Sequence, residues 1–406
     1  MKNIPQSRAE NVNFWHLYVF RSVVAAGGLA AGGRQVKLTQ PAVSHAIAGL
    51  ERQFSAKLII RTNPALGLTR EGSLVDARAA RALDLLVTGL RDAADLSPRA
   101  AIQRMRAVSA ARLSGLVEIV RHGSFAVAAR ASGIATPTLH RAARDLESSL
   151  GVDLFEATSF GVKPSRRAEV LSRYASLAFS EIRQTYAEIA DLAGAGSGET
   201  VSGTVIGAMP LARSHLVPAA VQAFTEYHPN HRVTILEGAY DDLVGGLRRG
   251  DVDFLVGALR GEGVLKDLTE EKLFDDPLSL VMRAGHPVLT ASRLTSKALR
   301  AWPWVAPRRD SPLRRNFHAL FSPEAPPENL IECNSLSAAR VILMESDRLM
   351  LLSEMQIKYE KASGLLMSRP LKSRAMQRPI GVTTRSQWLP TPVQKALLNE
   401  IVSFSA

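Results

Sequence analysis

The chain is nearly without cysteine: Cys333 is the only one in 406 residues. A lone thiol cannot form an internal disulfide framework, which fits a reducing cytosol. Cys333 itself reads as packing rather than as a redox centre. No apolar run reaches the roughly 18 residues that a membrane-spanning helix needs, so no membrane partner is expected. The opening MKNIPQSRAENVNFWHL holds neither an apolar h-region nor a small-residue cleavage site, so no secretory signal is expected and the chain reads as cytoplasmic. Catalytic signatures are missing too: there is no Walker loop, HExxH, G-x-S-x-G or Cys/His cluster. Asp241-Asp242 and Asp275-Asp276 are carboxylate pairs, but adjacent residues on a helix do not face one another; they read as a helix start and a turn. No catalytic residue, metal or cofactor is therefore expected.

What the chain has in excess is positive charge, 50 Lys and Arg against 38 Asp and Glu. Residues 1–196 carry 25 basic and 16 acidic side chains, whereas residues 197–406 carry 25 and 22. The excess therefore lies in the N-terminal half. That suits a polyanion partner, because each neutralised phosphate releases counterions. Charge alone fits a merely soluble basic surface equally well. An apolar fraction of 46% and a charged fraction of 22% are those of a globular protein, and the length suits several domains.

The N-terminal half repeats itself. Shifting the chain by 96 positions superposes residues 16–72 on 112–168 without a gap. Leu17 meets Leu113, Gly27 meets Gly123, Arg34 meets Arg130, Pro41 meets Pro137, and Leu50-Glu51 meets Leu146-Glu147. Each copy reads as three helices and a wing. In the second, Leu113, Leu116, Val117 and Val120 make an apolar helical stripe. Ser124 can cap a second helix that Gly133 ends. Thr136-Pro137 opens a third as N-cap and N1, turning His140, Arg141 and Arg144 outward and Leu139, Ala142 and Leu146 inward. In the first copy Thr39 is the expected cap, Gln40, Ser44 and His45 point outward, and Val43, Ile47 and Leu50 form the apolar face. Residues 58–60 with 66–68, and 154–155 with 161–163, would form the wings. A short helix, a tight turn and a capped helix with polar first turns describe a helix-turn-helix, whose second helix enters a major groove.

These residues resemble the LysR-type transcriptional regulators. LTQPAVSHAIAGLERQFSAKLIIRT in the first copy is similar to that family's recognition helix and wing, and GSFAVAARASG and LESSLGVDLFE in the second match other parts of the pattern. The resemblance implies that Thr39, Gln40, Pro41, Ser44 and His45 face double-stranded DNA, as do Thr136, Pro137, His140, Arg141 and Arg144, with Arg70 and Arg166 on phosphates. Each copy departs from the pattern. The first has Gly32-Gly33 where alanines are usual, at a helix cost of roughly 0.5–1 kcal/mol each. The second keeps Ala128-Ala129 but reads ATPTLH in place of the usual recognition-helix start. The first copy is thus expected to hold its reading helix on a weakened support. Helices expected over residues 70–96 and 167–192 correspond to the family's linker helix, which pairs with its twin in a dimer; with two per chain, the pairing can be internal.

After a Gly-rich boundary at 194–200, strands and helices alternate, as in βαβ units with a largely parallel sheet. GTVIGAMP, YHPNHRVTILEG, LRRGDVDFLVGAL and HPV resemble the family's two-lobed effector domain, itself like periplasmic solute receptors. The implied fold class is multidomain: two α-rich winged helix-turn-helix domains (11–72 and 108–168) with linker helices (73–107 and 169–199), then an α/β periplasmic-binding-protein-like effector domain (200–406). Ligands of such sheets sit at strand carboxyl ends between lobes. That places Met209, Pro210, Leu211 and Arg213 after the first strand, Tyr240 after the second, and Ser311, Asn334 and Ser335 on the facing lobe. The leading expectation is a DNA-binding transcription regulator with a small-molecule effector, forming homo-oligomers, with contact to RNA polymerase left open. The alternatives are an architectural DNA-binding protein with a ligand-free assembly domain, and a solute receptor with a basic module, against which the missing signal peptide speaks.

Overall fold

The computed structural model describes residues 8–61, 66–158, 161–192, 203–261, 266–309, 311–371 and 373–405. The expected boundary at 194–200 lies outside the described residues. Two compact units make up the chain, the first chiefly the residues up to Gly203 and the second chiefly those from Thr204 onward.

The first unit builds its repeat twice. The first copy contains α1 (Phe14–Ala25), α2 (Leu29–Val36) and α3 (Gln40–Phe54), followed by the wing strands β1 (Ile59–Arg61) and β2 (Leu66–Leu68) and the long α4 (Arg70–Ala94). A short α5 (Pro98–Met105), capped by Ser97 and not expected from the sequence, leads to the second copy. There α6 (Ala110–His122), α7 (Phe125–Ser132) and α8 (Thr136–Leu150) precede the wing β3 (Phe155–Thr158) and β4 (Gly161–Pro164) and a second long helix, α9 (Arg166–Leu192). Both wings are antiparallel, with Ile59 opposite Leu68 and Phe155 opposite Pro164.

Local chemistry sets the element ends. Ser124 accepts a hydrogen bond from the Val127 N–H as the cap of α7, and Gly133 ends that helix at φ 72°, in the left-handed region that glycine adopts freely. Two expected caps differ from this plan. Thr39 stands at the N-cap of α3, but its side chain makes no capping bond. Thr136 is the first helical residue of α8, whose cap is Ala135, so Pro137 moves to the second position. A pyrrolidine is tolerated there as well, because the first turn's N–H groups have no intrahelical acceptor.

One hydrophobic core runs through both copies and both long helices, from Val12, Phe14, Leu17 and Phe20 through Leu83, Leu86 and Leu90 to Leu113, Leu146, Phe179 and Ile182. The sequence stripe through Leu83, Leu86 and Leu90 is the buried face of α4.

The second unit is an α/β domain of two lobes. Strand β5 (Gly203–Ala208) is followed by α10 (Pro210–Ser214), α11 (Leu216–Tyr227), β6 (Arg232–Leu236), α12 (Tyr240–Arg249) and β7 (Phe254–Ala258). Next comes β8 (Leu268–Arg283), a strand of 16 residues that the alternation pattern did not reveal. The other lobe holds α13 (Ser296–Arg300), β9 (Trp304–Ala306), α14 (Pro312–Phe321), β10 (Leu330–Glu332), α15 (Leu336–Met344), β11 (Met350–Ser353), α16 (Lys358–Ala362) and β12 (Leu366–Pro370). The chain returns through β13 (Gln377–Arg385) and ends in α17 (Pro392–Ser403). The main sheet runs β11-β8-β13-β7-β5-β6, with β12 also on β8.

The sheet is mixed rather than largely parallel. Strand β5 is parallel to β7, but β13 runs antiparallel to both β7 and β8, and β11 and β12 antiparallel to β8; β9 and β10 form a separate parallel pair. Each lobe has its own core, one around Phe224, Phe254 and Leu397, the other around Trp304, Phe317 and Phe321. Asp275 and Asp276 sit within β8, not in a turn. Asp276 is buried and accepts from Arg378 at 2.7 Å and from the Ser353 hydroxyl. A strand interior accommodates the carboxylate because these donors replace its water.

Candidate DNA-reading faces and effector cleft

The exposed residues of α3 are those the sequence singles out. Thr39, Gln40, Pro41, Ser44 and His45 are all solvent-exposed, while Val43, Ile47 and Leu50 are buried. On α8, Pro137, Arg141 and Arg144 are exposed and Thr136 and His140 half-buried. Thr136, Pro137, His140, Arg141, Arg144 and Asp145 line a surface groove of about 630 Å³. The His140 ring stacks on Phe125, with centroids 4.0 Å apart and planes 5° from parallel, so its orientation is set by α7. Arg70 and Arg166 stand exposed at the starts of α4 and α9, just beyond the wings.

A polar clamp joins the third helix of each copy to its wing, and it was not anticipated. Glu51 accepts the Leu58 N–H at 3.1 Å, and Glu147 accepts the Leu154 N–H at 2.8 Å. Thr69 and Ser165 then cap the turn into each long helix, accepting from the Gly72 and Ala168 N–H groups. All four pairs are related by the 96-residue shift, so the match of Leu50-Glu51 with Leu146-Glu147 was the available signal.

In the second unit, Met209 follows β5, and its N–H donates to the Val256 carbonyl of β7. A side chain at Gly257 would lie 2.4 Å from the Met209 Cβ, so the glycine lets the two strand ends close. Pro210 is exposed, but Leu211 is buried in the lobe rather than facing solvent. Arg213 is held by Glu237 at 2.6 Å. Tyr240 opens α12 with the Arg260 guanidinium over its ring, 3.9 Å from the centroid. The Tyr240 hydroxyl and the Arg260 Nε are buried with no hydrogen-bond partner among the described residues. Burial raises the Tyr240 pKa above its ordinary value of 10.0, against the pull of Arg260. Glu270 fixes this corner by accepting the Arg260 and Gly261 N–H groups, each at 3.0 Å. Across the lobes, His215 lies 2.9 Å from the Lys358 ammonium.

On the facing lobe Ser311 and Ser335 act as helix caps, accepting from the Arg314 and Ala338 N–H groups. Asn334 is exposed, and the Cys333 thiol donates to the Ser335 carbonyl. A basic groove of about 490 Å³ on this lobe is lined by Arg309, Arg314, Arg315 and His318. Arg260 and the basic groove escaped sequence reasoning, since neither lies in a recognisable motif.

The family model described as "Bacterial regulatory helix-turn-helix protein, lysR family" matches twice, over residues 14–73 and 111–169. The model described as "LysR substrate binding domain" matches residues 199–405. The chain belongs to the LysR family of transcriptional regulators. It is similar to the HTH-type transcriptional regulator GalR of Pseudomonas putida, 32% identical over 391 residues, which is 95% of this chain and 96% of that relative. It is also similar to PcaQ of Agrobacterium fabrum, 28% identical over 291 residues, 71% of this chain and 92% of PcaQ. Among solved structures, a full-length OxyR variant from Pseudomonas aeruginosa shares the fold, with a TM-score of 0.53 and 21% identity over 72% of this chain and 93% of that one. As in the family, an N-terminal DNA-binding region is joined by helices to an effector-binding domain. In this LysR regulator the DNA-binding module occurs twice. Among the described residues no helix is long and apolar enough to cross a membrane.

Proposed function

We propose that this regulator reads double-stranded DNA with both copies. The observation that carries the reading is the pair of exposed polar faces at the starts of α3 and α8, each backed by a buried apolar face. Gln40 and Ser44 suit hydrogen bonding to base edges, with Thr39, Pro41 and His45 beside them. Arg141 and Arg144 suit guanine edges or phosphates, with Thr136, Pro137 and His140 alongside, and Arg70 and Arg166 hold the flanking backbone. Footprinting tests this. Gln40→Ala with Ser44→Ala abolishes protection of specific sites while salt-sensitive nonspecific binding survives; an unchanged footprint refutes the reading of α3.

The effector is a small anion that enters the cleft at Tyr240 and Arg260. Two buried polar groups without partners at the end of a sheet are supporting evidence, because such groups are costly unless a ligand or water satisfies them. Met209, Pro210, Ser311, Asn334 and Ser335 complete the lining on this reading; Arg213 contributes through its pair with Glu237 and Leu211 only as support. Effector binding then shifts the lobe populations and with them promoter occupancy and contact with RNA polymerase. The protein works in the cytoplasm as an oligomer, and the reading assigns it no catalytic step. A thermal-shift screen with small carboxylates tests the site: a stabilising carboxylate whose effect disappears in Arg260→Gln is expected. An equal shift in that variant refutes the placement.

A further inference from the structure

Helices α4 and α9 lie antiparallel along their lengths. At one end the Arg167 guanidinium pairs with Asp95 at 3.1 Å; a Cβ on Gly89 would fall 2.6 Å from the Tyr174 Cβ; Arg81 meets Glu181 at 3.0 Å; and at the other end Arg78 reaches Glu188 at 2.8 Å. The 96-residue shift turns this seam onto itself. It carries Arg78 onto Tyr174 and Gly89 onto Thr185, which lies one residue from Gln184, the amide that Arg78 also contacts at 2.6 Å. The seam is therefore a pseudo-two-fold pairing of the kind two identical chains would make, here formed by two halves of one chain.

Its chemistry is not symmetric. On one side of the pseudo-axis the Arg78 guanidinium is buried, with a side-chain exposure of 1%, between Glu181 and Glu188. On the other side Tyr174 fills the space that Gly89 leaves open. Consider α4 paired with the α4 of a second molecule. The places of Glu181, Gln184 and Glu188 would be taken by Leu85, Thr88 and Asp92, leaving the buried guanidinium one carboxylate. With α9 on α9, Tyr174 and Leu177 would stand where Arg78 and Arg81 are needed, and Thr185 would occupy the room Gly89 provides. Buried charges without partners and an overfilled groove disfavour both like-with-like pairings.

We propose that the α4–α9 seam selects its partner from within the same chain, so that one molecule supplies both halves of a DNA-reading pair and its linker helices reject those of a second copy. The consequence at the operator, two half-sites held by one chain, rests on both copies reading DNA; the pairing itself does not.

The test uses the full chain with Cys333→Ser and two exposed substitutions at the end of the seam, Asp95→Cys and Arg167→Cys, treated with a short bismaleimide. The expected product runs at one-chain mass on a denaturing gel, in a yield that does not change on dilution. An equal mixture of the two single-cysteine chains is expected to give no two-chain product. A two-chain product in either arm, or no cross-link in the double-cysteine chain, overturns the proposal. Because no DNA is present, these outcomes are separate from a failed footprint.

Discussion

The two copies support their reading helices by opposite means. In the first, α2 approaches α1 so closely that a Cβ on Gly32 would lie 2.5 Å from the Val23 Cα, and one on Gly33 would lie 2.9 Å from the Leu38 carbonyl oxygen. In the second, the same positions are the buried Ala128 and Ala129, packed in one cluster with Ile119. The expectation of a weakened support in the first copy is therefore replaced. There Gly32 exchanges helix propensity for a close contact with α1 and Gly33 for a close approach of the turn that follows α2, a trade that propensity alone misjudges. The joint between first and third helices differs as well. His16 packs over Gly49 beside His45 in the first copy, whereas Arg112 pairs with Asp145 at 3.2 Å in the second. Two helix-turn-helix units of one plan thus carry different chemistry at matching positions, one mostly neutral and the other charged.

The largest effect should come where the copies meet. Arg78→Leu strands the buried Glu188 without the guanidinium and leaves Glu181 only Arg81, and is expected to cost about 3–5 kcal/mol, read from urea unfolding by circular dichroism. The matching change across the pseudo-axis, Tyr174→Leu, should cost clearly less because no charge is stranded; equal costs would erase the asymmetry of the seam. Next comes the α1–α2 contact. Gly32→Ala should destabilise by about 1–3 kcal/mol through overpacking against Val23, despite alanine's higher helix propensity. A stabilised Gly32→Ala protein in thermal unfolding would restore the propensity argument. Ala128→Gly in the second copy should also destabilise, by roughly 0.5–1 kcal/mol from backbone entropy.

Much of this architecture was legible before any coordinates. The 96-residue register located both reading helices and both wings, because helix stripes and turn residues act locally and each copy carries the full set. The exposed faces of α3 and α8 followed from the same spacing. What escaped depends on partners far away in the chain. Arg78 is one of many arginines until α9 brings Glu181 and Glu188 to it, and Gly32 looks like a defect until Val23 is seen beside it. Strand β8 was missed because its acidic stretch, with Asp275 and Asp276, resembles surface; Arg378 and Ser353 from distant segments make the burial of Asp276 tolerable. Arg260 joins Tyr240 only through the sheet order, which alternation of elements does not specify. The cap at Thr136 shows the ordinary limit of sequence reading, an uncertainty of one residue at a helix end, whereas Thr39 stands where expected but makes no capping bond.

The reading faces should differ in how they respond to salt. Arg141→Ala with Arg144→Ala removes two charges from α8 and is expected to lower the slope of log affinity against log salt by about 2. Ser44→Ala with Gln40→Ala removes no charge, so sequence preference should fall with the slope unchanged. If both pairs of changes moved the slope alike, the contrast between a neutral and a charged reader would fail.

The smallest expected effect is a pH dependence confined to the first copy. Burial holds the His16 pKa below its ordinary 6.5, and the neighbouring His45 lowers it further. A depressed histidine means that the unfolded chain binds the proton more readily than the folded one. The contribution of neutral His16 to stability is then complete above about pH 6.5 and is lost as the pH falls towards the folded value. At the matching positions the second copy has no histidine but the ion pair of Arg112 with Asp145. Thermal unfolding followed from pH 7.5 down to about 5.5 should show a decline that His16→Gln flattens and Arg112→Gln does not. A decline unchanged in His16→Gln would assign the acid sensitivity elsewhere and leave the two joints electrostatically equivalent in that range.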